Sequence, residues 1–81
     1  MDDAGMDDSG ETKLYIKILS LAKEGATKRQ VADALSISYA QLRRHTSALV
    51  DRRLLHYDEK RRVLITTEKG HIFLKQAEST S

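Results

Sequence analysis

Two N-terminal capping devices stand close together in "GATKRQVADALSISYAQLRRHTSALV": Thr27 with Gln30 three residues on, and Ser38 with Gln41 three residues on. In each, the hydroxyl can accept the backbone N–H of the third helical residue while the glutamine reaches back to the cap's own N–H, so each marks where a helix begins. Two starts so near one another leave room only for a short helix, the turn "SIS" and a second helix. Val31, Ala34 and Leu35 would form the apolar face of the first. Leu42, Thr46 and Leu49, with Ala48 beside them, would form that of the second, which runs to about Arg52.

The flanking segments follow from the same periodicity. Leu14, Ile18, Leu21 and Ala22 recur at helical spacing, broadened by Tyr15 and Leu19, so a helix precedes the pair and runs from Thr12 to about Lys23, where Gly25 stops it. After Arg53 the period falls to two. "LLHY" and "VLIT" flank the polar "DEKRR", a hairpin in which Leu55 and Tyr57 are expected to face Val63 and Ile65. Thr67 then caps a final helix to about Ala77 with Ile72, Phe73 and Leu74 as its apolar residues. The fold class is therefore α+β: three helices, a β-hairpin and a C-terminal helix. Residues 1–11, acidic and without apolar period, are expected to be a disordered tail, residues 12–77 the domain, and residues 78–81 a frayed end.

A chain of 81 residues makes one small domain that buries roughly 60% of its unfolded surface. It contains no cysteine, so neither disulfides nor thiolate metal sites can staple it. No apolar run approaches the roughly 20 residues that span a bilayer, and the start is acidic where a signal peptide is basic. The expectation is a cytoplasmic protein with no membrane partner. Charge is segregated: Asp2, Asp3, Asp7, Asp8 and Glu11 give residues 1–11 a charge of −5, while residues 12–81 hold all 14 basic residues against 7 acidic ones, which leaves the net +2. A body that basic suits a polyanion.

Two short helices joined by a tight turn form a helix-turn-helix, in which the second helix lies in the DNA major groove. With Leu42, Thr46 and Leu49 turned to the core, the opposite side of that helix displays Tyr39, Ala40, Arg43, Arg44 and Ser47. An Arg in the groove can form a bidentate pair with guanine worth roughly 1–3 kcal/mol of discrimination. Arg44 flanks that line and suits phosphate. The hairpin loop adds Lys60, Arg61 and Arg62, a basic tip suited to phosphates or to the minor groove.

The stretch from Gly25 to Leu74, and most specifically "LSISYAQLRRHTSALV", "LLHYDEKRRVLIT" and "TTEKG", resembles the winged helix-turn-helix family, and is most similar to small archaeal winged-helix transcriptional regulators and chromatin proteins. The resemblance covers about Thr12 to Ala77. It implies a recognition helix over 38–52, a basic wing over 58–62 and double-stranded DNA as partner. By position it places Tyr39, Ala40, Gln41, Arg43, Arg44 and Ser47 on the DNA side of the recognition helix, and Lys60, Arg61 and Arg62 on the wing. Arg53 departs from the family, which often has Gly just before the first wing strand. A non-Gly residue there either adopts the left-handed conformation at about 1 kcal/mol or ends the helix differently.

The expected site thus comprises Lys28, Arg29 and Arg44 with Lys60, Arg61 and Arg62 for phosphate, Tyr39, Gln41 and Arg43 for bases, and Ser38, Ala40 and Ser47 along the same face. The expected function is transcriptional regulation on the nucleoid; the alternatives are an architectural chromatin protein with little sequence preference, or a winged-helix protein-interaction module. A homodimer would use helix one and the last helix through Tyr15, Leu19, Phe73 and Leu74. His45, His56 and His71 lack metal-ligand spacing. Asp58 and Glu59 are adjacent in a turn and lack the burial that acid/base work needs. No catalytic constellation, cofactor or metal is expected.

Overall fold

The structure, a computed structural model, describes the backbone of residues 2–80 and the side chains of residues 12–77. Four helices, α1 (Asp2–Leu21), α2 (Lys28–Leu35), α3 (Tyr39–Asp51) and α4 (Glu68–Thr80), surround one antiparallel hairpin of β1 (Leu55–Asp58) and β2 (Val63–Thr66). The α+β class and the element order agree with the sequence. The ends do not: α1 continues back to Asp2 and α4 forward to Thr80, where an irregular tail and a frayed end were expected. Neither end contains a proline that would interrupt a helix. Met1 and Ser81 lie outside the described residues.

Both capping boxes are formed. Thr27 Oγ1 accepts the Gln30 N–H at 3.0 Å and Gln30 Oε1 accepts the Thr27 N–H at 2.9 Å. Ser38 and Gln41 repeat the pattern at 3.2 and 3.1 Å. Between them Ser36 turns left-handed at φ 56°, its N–H bonded to the Asp33 carbonyl and that of Ile37 to the Ala32 carbonyl, so α2 ends and α3 begins within a few residues.

The core gathers Ile18, Leu19 and Ala22 from α1, Val31 and Ala32 from α2, Leu42 and Leu49 from α3, and Leu54, Leu55, Leu64 and Leu74 around the hairpin and α4. Each fully buried leucine or isoleucine contributes about 1.5–3 kcal/mol against leaving it in water. On α2 the inward alanine is Ala32, with Ala34 exposed, and on α1 Leu21 lies on the outside. The rest of each stripe is as expected, with Val31 buried on α2 and Ile18, Leu19 and Ala22 buried on α1; the two departures lie at the stripe edges, where small or apolar residues in succession fit either side.

The hairpin register is shifted by one from the expected pairing. Leu55 pairs with Thr66, His56 with Ile65, Tyr57 with Leu64, and Asp58 with Val63. Leu55 and Tyr57 therefore share their face with Leu64 and Thr66, and Val63 and Ile65 take the other. "VLIT" is β-prone at every position, so alternation alone does not choose a face. Long-range bonds choose it. Ala26 and Leu64 exchange backbone hydrogen bonds at 3.0 and 2.7 Å, and the Thr66 hydroxyl donates to the Leu19 carbonyl at 2.6 Å. Gly25, at φ 99°, turns the chain out of α1 and lies over Val63 and Ile65.

Arg53 takes the left-handed conformation at φ 64°. Its N–H bonds the Val50 carbonyl and the Leu54 N–H bonds the Leu49 carbonyl, both at 2.9 Å, which is a Schellman ending without glycine. The Thr67 hydroxyl donates to the Arg53 carbonyl at 2.7 Å and accepts the Gly70 N–H at 3.0 Å, tying the end of α3 to the start of α4. Gly70 is buried against the Leu54 carbonyl, and a Cβ there would also stand 2.6 Å from Thr66 Cγ2.

Candidate functional site

On α3, Leu42, Thr46 and Leu49 are buried, as the spacing predicts. That fixes what the helix presents outward: Tyr39, Ala40, Arg43, Arg44 and Ser47 are all exposed. Among the described residues the single ion pair is Arg61 with Asp58, so no carboxylate neutralises Arg43 or Arg44. Two adjacent guanidinium groups held on a rigid helix with no internal partner are available to an external anion or to a base edge.

Two residues of the expected face also build the cap of α3. Gln41 Oε1 accepts the Ser38 N–H and Ser38 Oγ accepts the Gln41 N–H, so both side chains hold the start of α3. A glutamine reads adenine with its oxygen and its nitrogen together, and here the oxygen is already engaged. Ser38 and Gln41 therefore fix where the face begins, and both remain exposed at its start.

Lys28 and Arg29 open α2, both exposed. The Lys28 ammonium lies 4.5 Å from the centre of the Tyr57 ring, a cation–π contact that links the first turn of α2 to β1. Lys28 also lines a small cleft of about 60 Å³ with Tyr39, Leu42, Arg43 and Thr46. The first turns of α2 and α3 thus converge on one spot. Sequence reasoning named Lys28, Tyr39 and Arg43 separately; it missed Tyr57 as the residue that holds Lys28, and Leu42 and Thr46 as the floor between them. No local spacing relates residue 28 to residue 57, so nothing in the sequence pointed to that contact.

The hairpin tip is organised by Asp58. Its Oδ1 accepts the N–H groups of Lys60 and Arg61 at 3.0 and 3.3 Å, and its backbone carbonyl accepts that of Arg62 at 2.7 Å. Arg62 is left-handed at φ 59°. Arg61 Nε stands 4.0 Å from Asp58 Oδ2 with its side chain 77% exposed, a contact too long and too wet to hold the guanidinium. Lys60, Arg61 and Arg62 are all exposed, and none of them is hydrogen-bonded or ion-paired to α3. Asp58 serves the turn, as expected.

The four residues expected at a dimer surface separate into two groups. Leu19 and Leu74 are buried in the monomer's own core and cannot line a contact between copies. They lie at the phase of α1 and α4 that meets the other helices, which a broad apolar stripe does not reveal. Tyr15 is half-buried between His45, ring centres 6.0 Å apart and edge-on, and the Arg52 guanidinium at 5.6 Å. Phe73 is half-buried beside Thr12 and Ile16 in a shallow depression between α1 and α4. Among the described residues no three His, Asp or Glu side chains are grouped to hold a metal ion, and no helix is long and apolar enough to cross a membrane. The sequence matches no protein-family model, and no curated protein matches it significantly.

Proposed function

We propose that this chain is a double-stranded DNA-binding protein of the winged helix-turn-helix type that acts as a transcriptional regulator, with α3 as recognition helix and the β1–β2 hairpin as wing. The observation that carries the reading is the outer face of α3, where Arg43 and Arg44 stand exposed without a carboxylate partner while Leu42, Thr46 and Leu49 lock the opposite face to the core. A helix of that width fits a major groove about 12 Å across. Arg43 and Tyr39 reach bases; Arg44, Arg29 and the tip residues Lys60, Arg61 and Arg62 meet phosphates on either side. Lys28, drawn toward Tyr57, braces the wing against α2. The role is one of binding, and no reaction is assigned to it.

Fluorescence anisotropy of a labelled random duplex, titrated with the protein across a series of salt concentrations, tests this reading. The expected result is affinity that falls steeply with salt, with a log–log slope of about −0.9 for each phosphate neutralised, and enrichment of particular sequences from a mixed pool. Steep salt dependence without enrichment would point to an architectural chromatin protein. Absence of binding at low salt would rule out DNA and leave the basic face to an acidic protein partner.

A further inference from the structure

The start of α2 is fastened to both strands of the hairpin. Ala26, directly before the Thr27 cap, exchanges backbone hydrogen bonds with Leu64 on β2, and Lys28, the first residue of α2, holds its ammonium 4.5 Å from the centre of the Tyr57 ring on β1. Tyr57 and Leu64 are paired across the hairpin, so the two fastenings meet at one rung. They differ in kind. The first joins the backbones of two buried residues, whereas in the second Lys28 is exposed and Tyr57 half-buried. Beyond Tyr57, β1 has only Asp58, whose carboxylate accepts the Lys60 and Arg61 N–H groups and whose backbone carbonyl accepts that of Arg62. Whatever fixes Tyr57 therefore fixes Asp58 and, through it, the cations of the tip.

We propose that Tyr57 is a positioning residue for DNA binding: by holding the Lys28 ammonium it sets the angle of the wing against α2 and α3, so that Lys28 adds to affinity through the tip cations and not through a phosphate of its own. The inference rests on the DNA reading given above and deepens it. Held at the Ala26–Leu64 bridge alone, the hairpin can rock about that point; the second fastening stops it. A wing free to rock occupies the binding-competent position for a smaller fraction of the time, and apparent affinity falls by that fraction. The chemistry of the pair suits its place. A carboxylate at residue 57 would also hold Lys28, but it would add a third negative charge to those of Asp58 and Glu59 at the foot of a tip carrying Lys60, Arg61 and Arg62. An aromatic face holds the ammonium with a neutral partner, and among the described residues no carboxylate pairs with Lys28.

The test titrates a labelled duplex, selected for tight binding, with the full chain at several salt concentrations. Lys28→Gln removes the charge, Tyr57→Leu removes the ring, and Tyr57→Phe keeps it. The expected result is a loss of about threefold for Lys28→Gln and for Tyr57→Leu, the size of one exposed cation–π contact, with the double variant no weaker than either single one and Tyr57→Phe equal to the parent. At low salt, in a background carrying Lys60→Ala, Arg61→Ala and Arg62→Ala, Lys28→Gln has no further effect, because the tip through which it acts is gone. Lys28→Gln, at an exposed position, carries the test where Tyr57→Leu lowers stability, which thermal unfolding reports separately. A loss for Lys28→Gln that persists in the stripped background, with the log–log salt slope flattened by about 0.9, makes Lys28 a phosphate ligand; it overturns the positioning role and leaves the DNA reading intact. Losses that add in the double variant overturn it too. Absence of binding by the parent protein overturns both.

Discussion

Arg43 and Arg44, in the first half of α3, and Arg52 and Arg53, at its end, are the same dipeptide on the same helix in different service. The first pair touches no carboxylate and projects from the face opposite the core. The second pair serves the fold in two ways: the Arg52 guanidinium lies 5.6 Å from the Tyr15 ring, while Arg53 acts through its backbone, as the left-handed residue that ends the helix and a carbonyl for Thr67, with its side chain exposed. Residue type therefore says little about role on this surface. What differs is the use the fold makes of each residue: an engaged cation such as that of Arg52 has less to offer a partner than a bare one, and Arg53 is fixed by the backbone conformation it must adopt.

Five substitutions probe that division. The largest effect belongs to Gly70→Ala, which undermines the scaffold behind the second pair. Its Cβ would collide with the Leu54 backbone and crowd Thr66, so a loss of about 2–4 kcal/mol and a drop in Tm of roughly 10–30 °C are expected from thermal unfolding. Near-native stability would mean that α4 does not depend on this close approach. Next, Arg43→Ala is expected to cost about 1–3 kcal/mol at one or two base pairs of a selected duplex while leaving unfolding within about 0.5 kcal/mol of the parent. Arg44→Ala should instead weaken all duplexes alike and flatten the salt slope by about 0.9. If the two variants behave identically on a panel of duplexes, the split between base and phosphate contacts along α3 is wrong.

The two smaller effects concern the second pair. Arg53→Gly removes the strain of a left-handed non-glycine residue and adds freedom to the unfolded chain, for a net gain of about 0.5 kcal/mol in denaturant unfolding. A loss of stability would show that the Arg53 side chain itself contributes to the helix end. Arg52→Ala should cost about 0.5 kcal/mol through its contact with Tyr15. Its salt slope on DNA should match that of the parent protein; a flattened slope would move Arg52 into the phosphate-binding set.

What the sequence disclosed depended on the range of the interaction. The caps at Thr27 and Ser38, and the buried triplet Leu42, Thr46 and Leu49, are local, and spacing alone located them. The hairpin register depends on Ala26 and Leu19, residues distant in the chain, and "VLIT" carries no mark of which face they select. Leu19 and Leu74 read as surface for the same reason, since an apolar stripe does not state how much of it the other helices cover. On the site, Tyr39, Arg43 and Arg44 were legible as outward residues of an amphipathic helix. Gln41 was legible both as a cap and as a base reader, and only the hydrogen bond to Ser38 decides which use its oxygen serves.

The bridge between Ala26 and Leu64 also bears on the order in which the molecule assembles. The turn between α2 and α3 closes over a few residues, whereas that bridge must bring together two points separated by both of those helices and β1. Closing the longer loop costs more chain entropy before any bond repays it. The α2–α3 pair is thus the natural early nucleus, and the hairpin joins when β2 reaches the loop after α1. Backbone amides at Ala26 and Leu64, bonded to each other's residue, should then exchange with solvent only when the whole domain opens, while the amides of Lys60 and Arg61, held solely by the Asp58 side chain, exchange far sooner.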